Sequence, residues 1–216
     1  MPAPTAAELT DTARRALAGV GLRGRRIGDL ALALGQTCSQ ALTLFISQAM
    51  VLPGIAALAP PPALSGSTAG PGRLLPPPAG GPAAPMLEPL ALAALTAREL
   101  LGSRHSALAA VMAGAIAQGI LLFTQAMMVS PGIPIAGLVT TGPGQLTGSL
   151  PQQAELQPVV HRLLLAGNLR GEKSDSLAAA IAQVVADSLA LFGPRVMVLP
   201  GIACSPTATV APGRLL

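Results

Sequence analysis

Polar residues are sparse in three stretches of this chain, and their spacing is easy to read. Asp29, Gln36, Gln40, Thr43 and Ser47 fall at intervals of 7, 4, 3 and 4. That spacing gathers them into one narrow stripe of an α-helix whose remaining surface is apolar or small. A second such stretch begins near Ser106, and its stripe shrinks to Gln118 and Gln125. A third begins near Ser174 and carries Ser176, Gln183 and Asp187, with Pro194 shortening its end. Each stretch predicts a long helix that stops before a Pro-Gly-Ile string, where proline and then glycine break it.

A shorter helix is predicted ahead of each long one. The first starts at Thr5, where Thr5 and Glu8 fit a capping box, and runs to about Val20. Its counterparts are 87–101 and 153–166. Connectors containing glycine and basic residues join short helix to long. They hold Arg23, Arg25 and Arg26, then Arg104, then Arg170 and Lys173. After each Pro-Gly-Ile the chain turns to Gly, Pro, Thr, Ser, Val and Ile, which suit short strands or an ordered arm.

The three phenylalanines expose the organisation. Phe45, Phe123 and Phe192 are each followed five residues later by Met50, Met128 and Met197, then by Val and the turn. The turns are Pro53-Gly54-Ile55, Pro131-Gly132-Ile133 and Pro200-Gly201-Ile202, offset by 78 and 69 residues. A second landmark repeats as Pro71-Gly72-Arg73-Leu74, Pro143-Gly144-Gln145-Leu146 and Pro212-Gly213-Arg214-Leu215. The first arm carries six extra residues, around Pro60-Pro61-Pro62. We read the chain as a complete triplication, with copies at 5–75, 86–147 and 152–216. A Pro/Gly linker at 76–85, stiff then flexible, and a short join at 148–151 separate them.

Composition narrows what such a chain can do. Apolar residues make up 51% and charged residues 10% of 216, and there is no Trp or Tyr. That excludes charge-driven disorder and nucleic-acid binding by aromatic stacking. Thirteen basic residues against nine acidic give a net charge of +4, too small a surplus for a phosphate-tracking surface. The first dozen residues lack the basic and apolar regions of a signal peptide, so free cysteines in a reducing cytosol are expected.

A helix apolar on most of its surface must be covered by protein or by lipid. Residues 106–130 are long enough to span a bilayer, and no formal charge occurs from Ser106 to Ala154. Against lipid stand Asp187 and Arg195 in the third long helix and the absence of Trp and Tyr for an interfacial belt. The favoured reading is burial by protein: a mainly α fold with short β or extended arms, its three long helices packed about a pseudo-threefold axis as a trimer in one chain. Gln40, Gln118 and Asp187 then face either that axis, as a polar layer, or solvent. Phe45, Phe123, Phe192, Met50, Met128 and Met197 are the expected core. Membrane insertion of the long helices is the alternative.

Candidate chemistry is thin. Cys38 aligns with Ile116 and Val185 and reads as a small buried hydrophobe. Cys204 has no predictable partner. His105 and His161 lack a carboxylate or cysteine at ligand or triad spacing. The Gly-Pro-Gly segments lack the Lys-Ser/Thr of a phosphate loop. No enzyme activity, cofactor, metal or small-molecule substrate is expected. The basic connectors read as solvated turns that complement helix C-termini, or as a ring of positive charge that contacts an acidic partner or passes DNA.

The unit of helix, Val-rich helix end, Pro-Gly-Ile and Ser/Thr/Ala arm closing on Pro-Gly-x-Leu occupies 29–75, 107–146 and 176–216. It resembles the small virion-type structural proteins of tailed phages and of phage-derived contractile particles, although those carry it singly. The resemblance implies a cytoplasmic, non-enzymatic component of an assembled particle, whose partners are other protein subunits.

Overall fold

The computed structural model describes residues 3–216. About half the chain is helical, in α1 (Ala6–Gly19), α2 (Ile27–Gln48), α3 (Ala84–Ala97), α4 (His105–Ala126), α5 (Gln153–Ala166) and α6 (Ser174–Phe192). A short 3-10 turn, Gly193–Arg195, follows α6 where Pro194 ends the α-helix. The strands are β1 (Met50–Val51), β2 (Ala57–Leu58), β3 (Ser65–Thr68), β4 (Gly72–Arg73), β5 (Met127–Val129), β6 (Pro134–Ala136), β7 (Val139–Thr140), β8 (Gly144–Gly148), β9 (Met197–Val198) and β10 (Gly213–Arg214).

Local chemistry sets the helix ends. Thr5 and Glu8 form the expected capping box on α1, and at the start of α5 the Glu155 carboxylate accepts from the Gln152 amide at 3.1 Å. The short helices all terminate in the same way. The amides of Leu22, Leu100 and Leu169 donate five residues back, to the carbonyls of Leu17, Leu95 and Leu164, at 3.1, 3.0 and 2.8 Å. Such a bond requires a left-handed residue just before it. Gly21 (φ 70°), Glu99 (φ 54°) and Asn168 (φ 53°) supply it. α3 therefore stops at Ala97 rather than 101. It also starts at Ala84 rather than 87, because Pro85 is well placed in a first helical turn.

α2, α4 and α6 touch one another in the interior, while α1 packs on α2 and α6, α3 on α4 and α2, and α5 on α6 and α4. Leu34, Met112 and Ile181 are fully buried at this centre. Phe45, Phe123 and Phe192 meet lower down, with ring centroids 6.0, 5.8 and 5.7 Å apart and mostly edge-on. α4 and α6 approach so closely at Gly119 that an added Cβ would overlap the Val185 side chain.

Below the helices the strands form two closed circuits. In the upper one, β4, β5, β8 and β9 make one sheet, and β1 pairs with β10. Bridges at Val51–Leu74 and Val198–Leu215 join these two pieces. In the lower one, β2, β3, β6 and β7 form a sheet, which bridges at Val139–Ala203, Cys204–Thr209 and Ala56–Ala208 complete. Closure leaves few strand edges open. Ala57, Ala59, Ile135 and Cys204 fill the lower circuit.

Two expectations are corrected here. Met50 and Met197 are half-buried and Met128 is 37% exposed, so the three methionines lie outside the core. Side chains alternate once the chain becomes extended, and the inward positions fall to Ala49, Met127 and Val196, then to Val51, Val129 and Val198. Nor is 76–85 a free tether. Residues 80–82 are buried, Gly81 lies against the Phe45 ring, and Ala84 and Pro85 already belong to α3.

Two stability outcomes follow. Phe123→Ala should lower the unfolding free energy by about 3–5 kcal/mol in urea denaturation, because an aromatic packed on two others leaves a cavity. Glu99→Gly should raise it by about 1 kcal/mol, because it relieves a left-handed residue bearing a Cβ; the exposed Arg26–Glu99 pair it removes, at 3.9 Å, contributes little.

Candidate functional site

The Pro-Gly-Ile turns are where distant parts of the chain lock together. Gly54, Gly132 and Gly201 have φ of 97°, 97° and 99°, a conformation that favours glycine. The following isoleucines, Ile55, Ile133 and Ile202, are buried. Each turn is clasped by a threonine from elsewhere in the chain. The Thr209 hydroxyl accepts from the amides of Gly54 and Ile55 at 3.0 and 2.9 Å. Thr68 accepts from Ile133 at 2.9 Å, and Thr140 from Gly201 and Ile202 at 3.1 and 2.9 Å. The backbone carbonyls of the same threonines accept from Gly54, Gly132 and Gly201 at 2.8, 2.7 and 2.8 Å.

The Pro-Gly landmarks cross in the same sense. Gly72–Arg73 pairs with Val129–Met128, Gly144–Gln145 with Val198–Met197, and Gly213–Arg214 with Val51–Met50. Sequence reasoning missed the threonines, although each lies three residues before its Pro-Gly landmark.

The basic connectors gather at the opposite end. Arg23, Arg25, Arg26, Arg104, Arg170 and Lys173 are all exposed. Two of them cap helices that precede other connectors. Arg26 Nη2 donates to the carbonyls of Arg98 and Glu99 at 2.6 and 2.7 Å, and Arg104 Nη1 to that of Gly167 at 3.4 Å. These cations therefore meet the negative ends of α3 and α5 rather than those of their own hairpins. An open cleft of about 550 Å³ lies among them, lined by Arg26, Glu99, Leu100, Arg104, Leu108 and Leu169.

The polar stripe takes the outward of the two positions considered for it. Gln40 is exposed and Gln118 and Asp187 are half-buried, with Asp187 accepting from Gln183 at 2.6 Å. The axial polar layer is not formed. Cys38, Ile116 and Val185 are buried in the helical interior instead.

Titratable groups are dispersed. Burial pushes the Cys38 thiol up to about 12 and raises that of Cys204. His105 Nδ1 lies 2.8 Å from the Gly102 carbonyl, and His161 Nδ1 is 3.0 Å from Asp175. Among the described residues no three His, Cys, Asp or Glu come together to hold a metal. A two-pronged ion pair joins Arg195, after α6, to Glu8 of α1, at 3.1 and 2.8 Å. Hydrogen bonds from Arg195 and Thr5 lower the Glu8 pKa to about 2. Comparison with known protein families, curated proteins and solved structures gives no match.

Thr209→Val should cost about 1–3 kcal/mol in chemical denaturation by leaving the Ile55 amide short of its acceptor, and Thr209→Ser should recover most of it. Glu8 is more acidic folded than unfolded, so its contribution to stability is complete above pH 4.5 and is lost as pH falls toward 2. Thermal melts across that window should show a shallower decline for Arg195→Gln than for the parent.

Proposed function

We propose that the chain is three tandem copies of one helix-hairpin-plus-arm unit wound about a pseudo-threefold axis, and that it works as a non-enzymatic structural subunit of a phage-like or contractile-tail-like particle. The observation that carries this reading is the cyclic crossing of the arms: 72–73 reaches 127–129, 144–148 reaches 197–198, and 213–214 returns to 50–51. Separate subunits of a homotrimer exchange arms in this way, and fusing them removes the entropy of association. The likeness of the unit to small virion-type proteins supports the particle setting. The scattered titratable groups support binding rather than catalysis.

A specific observation also favours the second reading, a membrane or membrane-surface oligomer. Helical stretches Ile27–Gln48, His105–Ala126 and Ser174–Arg195 are long enough to cross a bilayer, with mean hydropathies of 1.3, 2.0 and 1.6. Yet 50–61% of each is already buried by protein. The short helices cover their outer faces, which supports the first reading.

Sucrose-gradient sedimentation of native lysate, without and then with detergent, separates the two. Co-sedimentation with a large particle in both runs is the expected result. Flotation with membranes that detergent abolishes would overturn it in favour of the membrane reading.

A further inference from the structure

The positive charge of this molecule is gathered at one end. The three connectors, residues 20–26, 98–104 and 167–173, hold seven basic residues and two acidic ones. Their surplus of five exceeds the +4 of the whole chain, and the remaining residues carry six basic and seven acidic groups. Among the described residues Arg26 is the one connector cation drawn into ion pairs, with Asp29 and Glu99 at 3.3 and 3.9 Å. Arg23, Arg25, Arg104, Arg170 and Lys173 are exposed with no carboxylate against them. Aligning the copies by their offsets of 78 and 69 puts Leu101 where the other connectors have Arg23 and Arg170. Leu101 is 61% exposed, and with Leu100, Leu108 and Leu169 it lines the cleft of about 550 Å³ that Arg26 and Arg104 also border. A concave apolar lining left open to water among cations marks a place where a partner fits.

From this placement we infer that the connector end docks an acidic protein segment. Its carboxylates lie against the exposed cations, and one apolar side chain enters the leucine-lined cleft. Opposite charge draws the partner to this end, and the cleft supplies the apolar anchor that tells one acidic segment from another. Other polyanions match only half of the surface. A phosphate backbone meets the cations but places nothing apolar beside Leu101, and the chain has no Trp or Tyr on which bases would stack. An anionic bilayer surface meets the cations and leaves the concave cleft unfilled. Only one of the three connectors carries the leucine, so the partner seats in one orientation. The inference rests on the reading of the chain as a binding subunit and names that subunit's partner surface. It does not need the particle: sedimentation can fail while the partner segment still binds.

The test titrates the full chain into a fluorescein-labelled Asp-Glu-Leu-Leu-Glu-Asp peptide and follows the anisotropy. The expected result is saturable binding that weakens as sodium chloride rises from about 50 to about 300 mM, because the cations are solvent-facing. Serine in place of both peptide leucines should weaken binding about tenfold through loss of the apolar anchor. Arg170→Gln together with Lys173→Gln should weaken it about fivefold by removing two exposed contacts, with the circular dichroism spectrum unchanged. Leu101→Arg, which restores the residue type of the other connectors, should keep the salt dependence and abolish the preference for leucine over serine. Absence of saturable peptide binding, or equal binding of the leucine and serine peptides, overturns the proposal. Tighter binding of a short DNA duplex or of phosphatidylglycerol vesicles than of the peptide also overturns it, and reassigns this end to nucleic acid or to a membrane.

Discussion

The contact of Phe45, Phe123 and Phe192 sits where three apolar helices end and the chain becomes extended. Above it, α2, α4 and α6 turn only a narrow polar stripe outward, so most of the remaining surface of each must be covered. They cover one another inside, and α1, α3 and α5 cover them outside. Below the rings, Val51, Val129 and Val198 carry the same apolar interior into the strands. The aromatic contact joins these two regimes, one with a side-chain period of 3.6 residues and one with a period of two. Disturbing it would loosen helices and strands together.

The strands answer a different need. Two- and three-residue strands are too short to be stable alone. In closed circuits each has a partner on both sides, and few backbone groups are left at an edge. The Pro-Gly-Ile turns add side-chain acceptors at the points where the chain bends hardest. Among the charged residues, Arg26 and Arg104 reach backbone carbonyls at helix ends, and Arg195 reaches the Glu8 carboxylate.

Much of this was legible in the sequence because a rare residue marked it. Three phenylalanines in 216 residues, each five before a methionine, locate the ends of the long helices, and the following Pro-Gly-Ile locates the turns. The outward polar stripe could be drawn from spacing alone, though not its choice between interior and solvent. Other features depend on contacts between residues far apart in the chain, which spacing does not encode. That Gly213–Arg214 pairs with Val51–Met50 cannot be inferred from composition, since all three Pro-Gly segments look alike. The methionines were expected inside because they recur with the phenylalanines, but recurrence does not fix which way a side chain points once Ala49, Met127 and Val196 begin the extended alternation.

Closing the upper circuit through Val51–Gly213 joins residues that most of the chain separates. The helix hairpins, by contrast, need loops of only a few residues, and short closures are fast. Loop entropy grows with the logarithm of the span, so the longest closure is the least favourable to attempt before the rest is in place. Contacts of large sequence separation also slow the folding of a chain as a whole. The order of assembly that follows runs from three hairpins, to the neighbouring arms, to the final circuit. The hydrogen bonds holding the first strand to the last are then the last to form, and their presence marks a molecule that has finished folding.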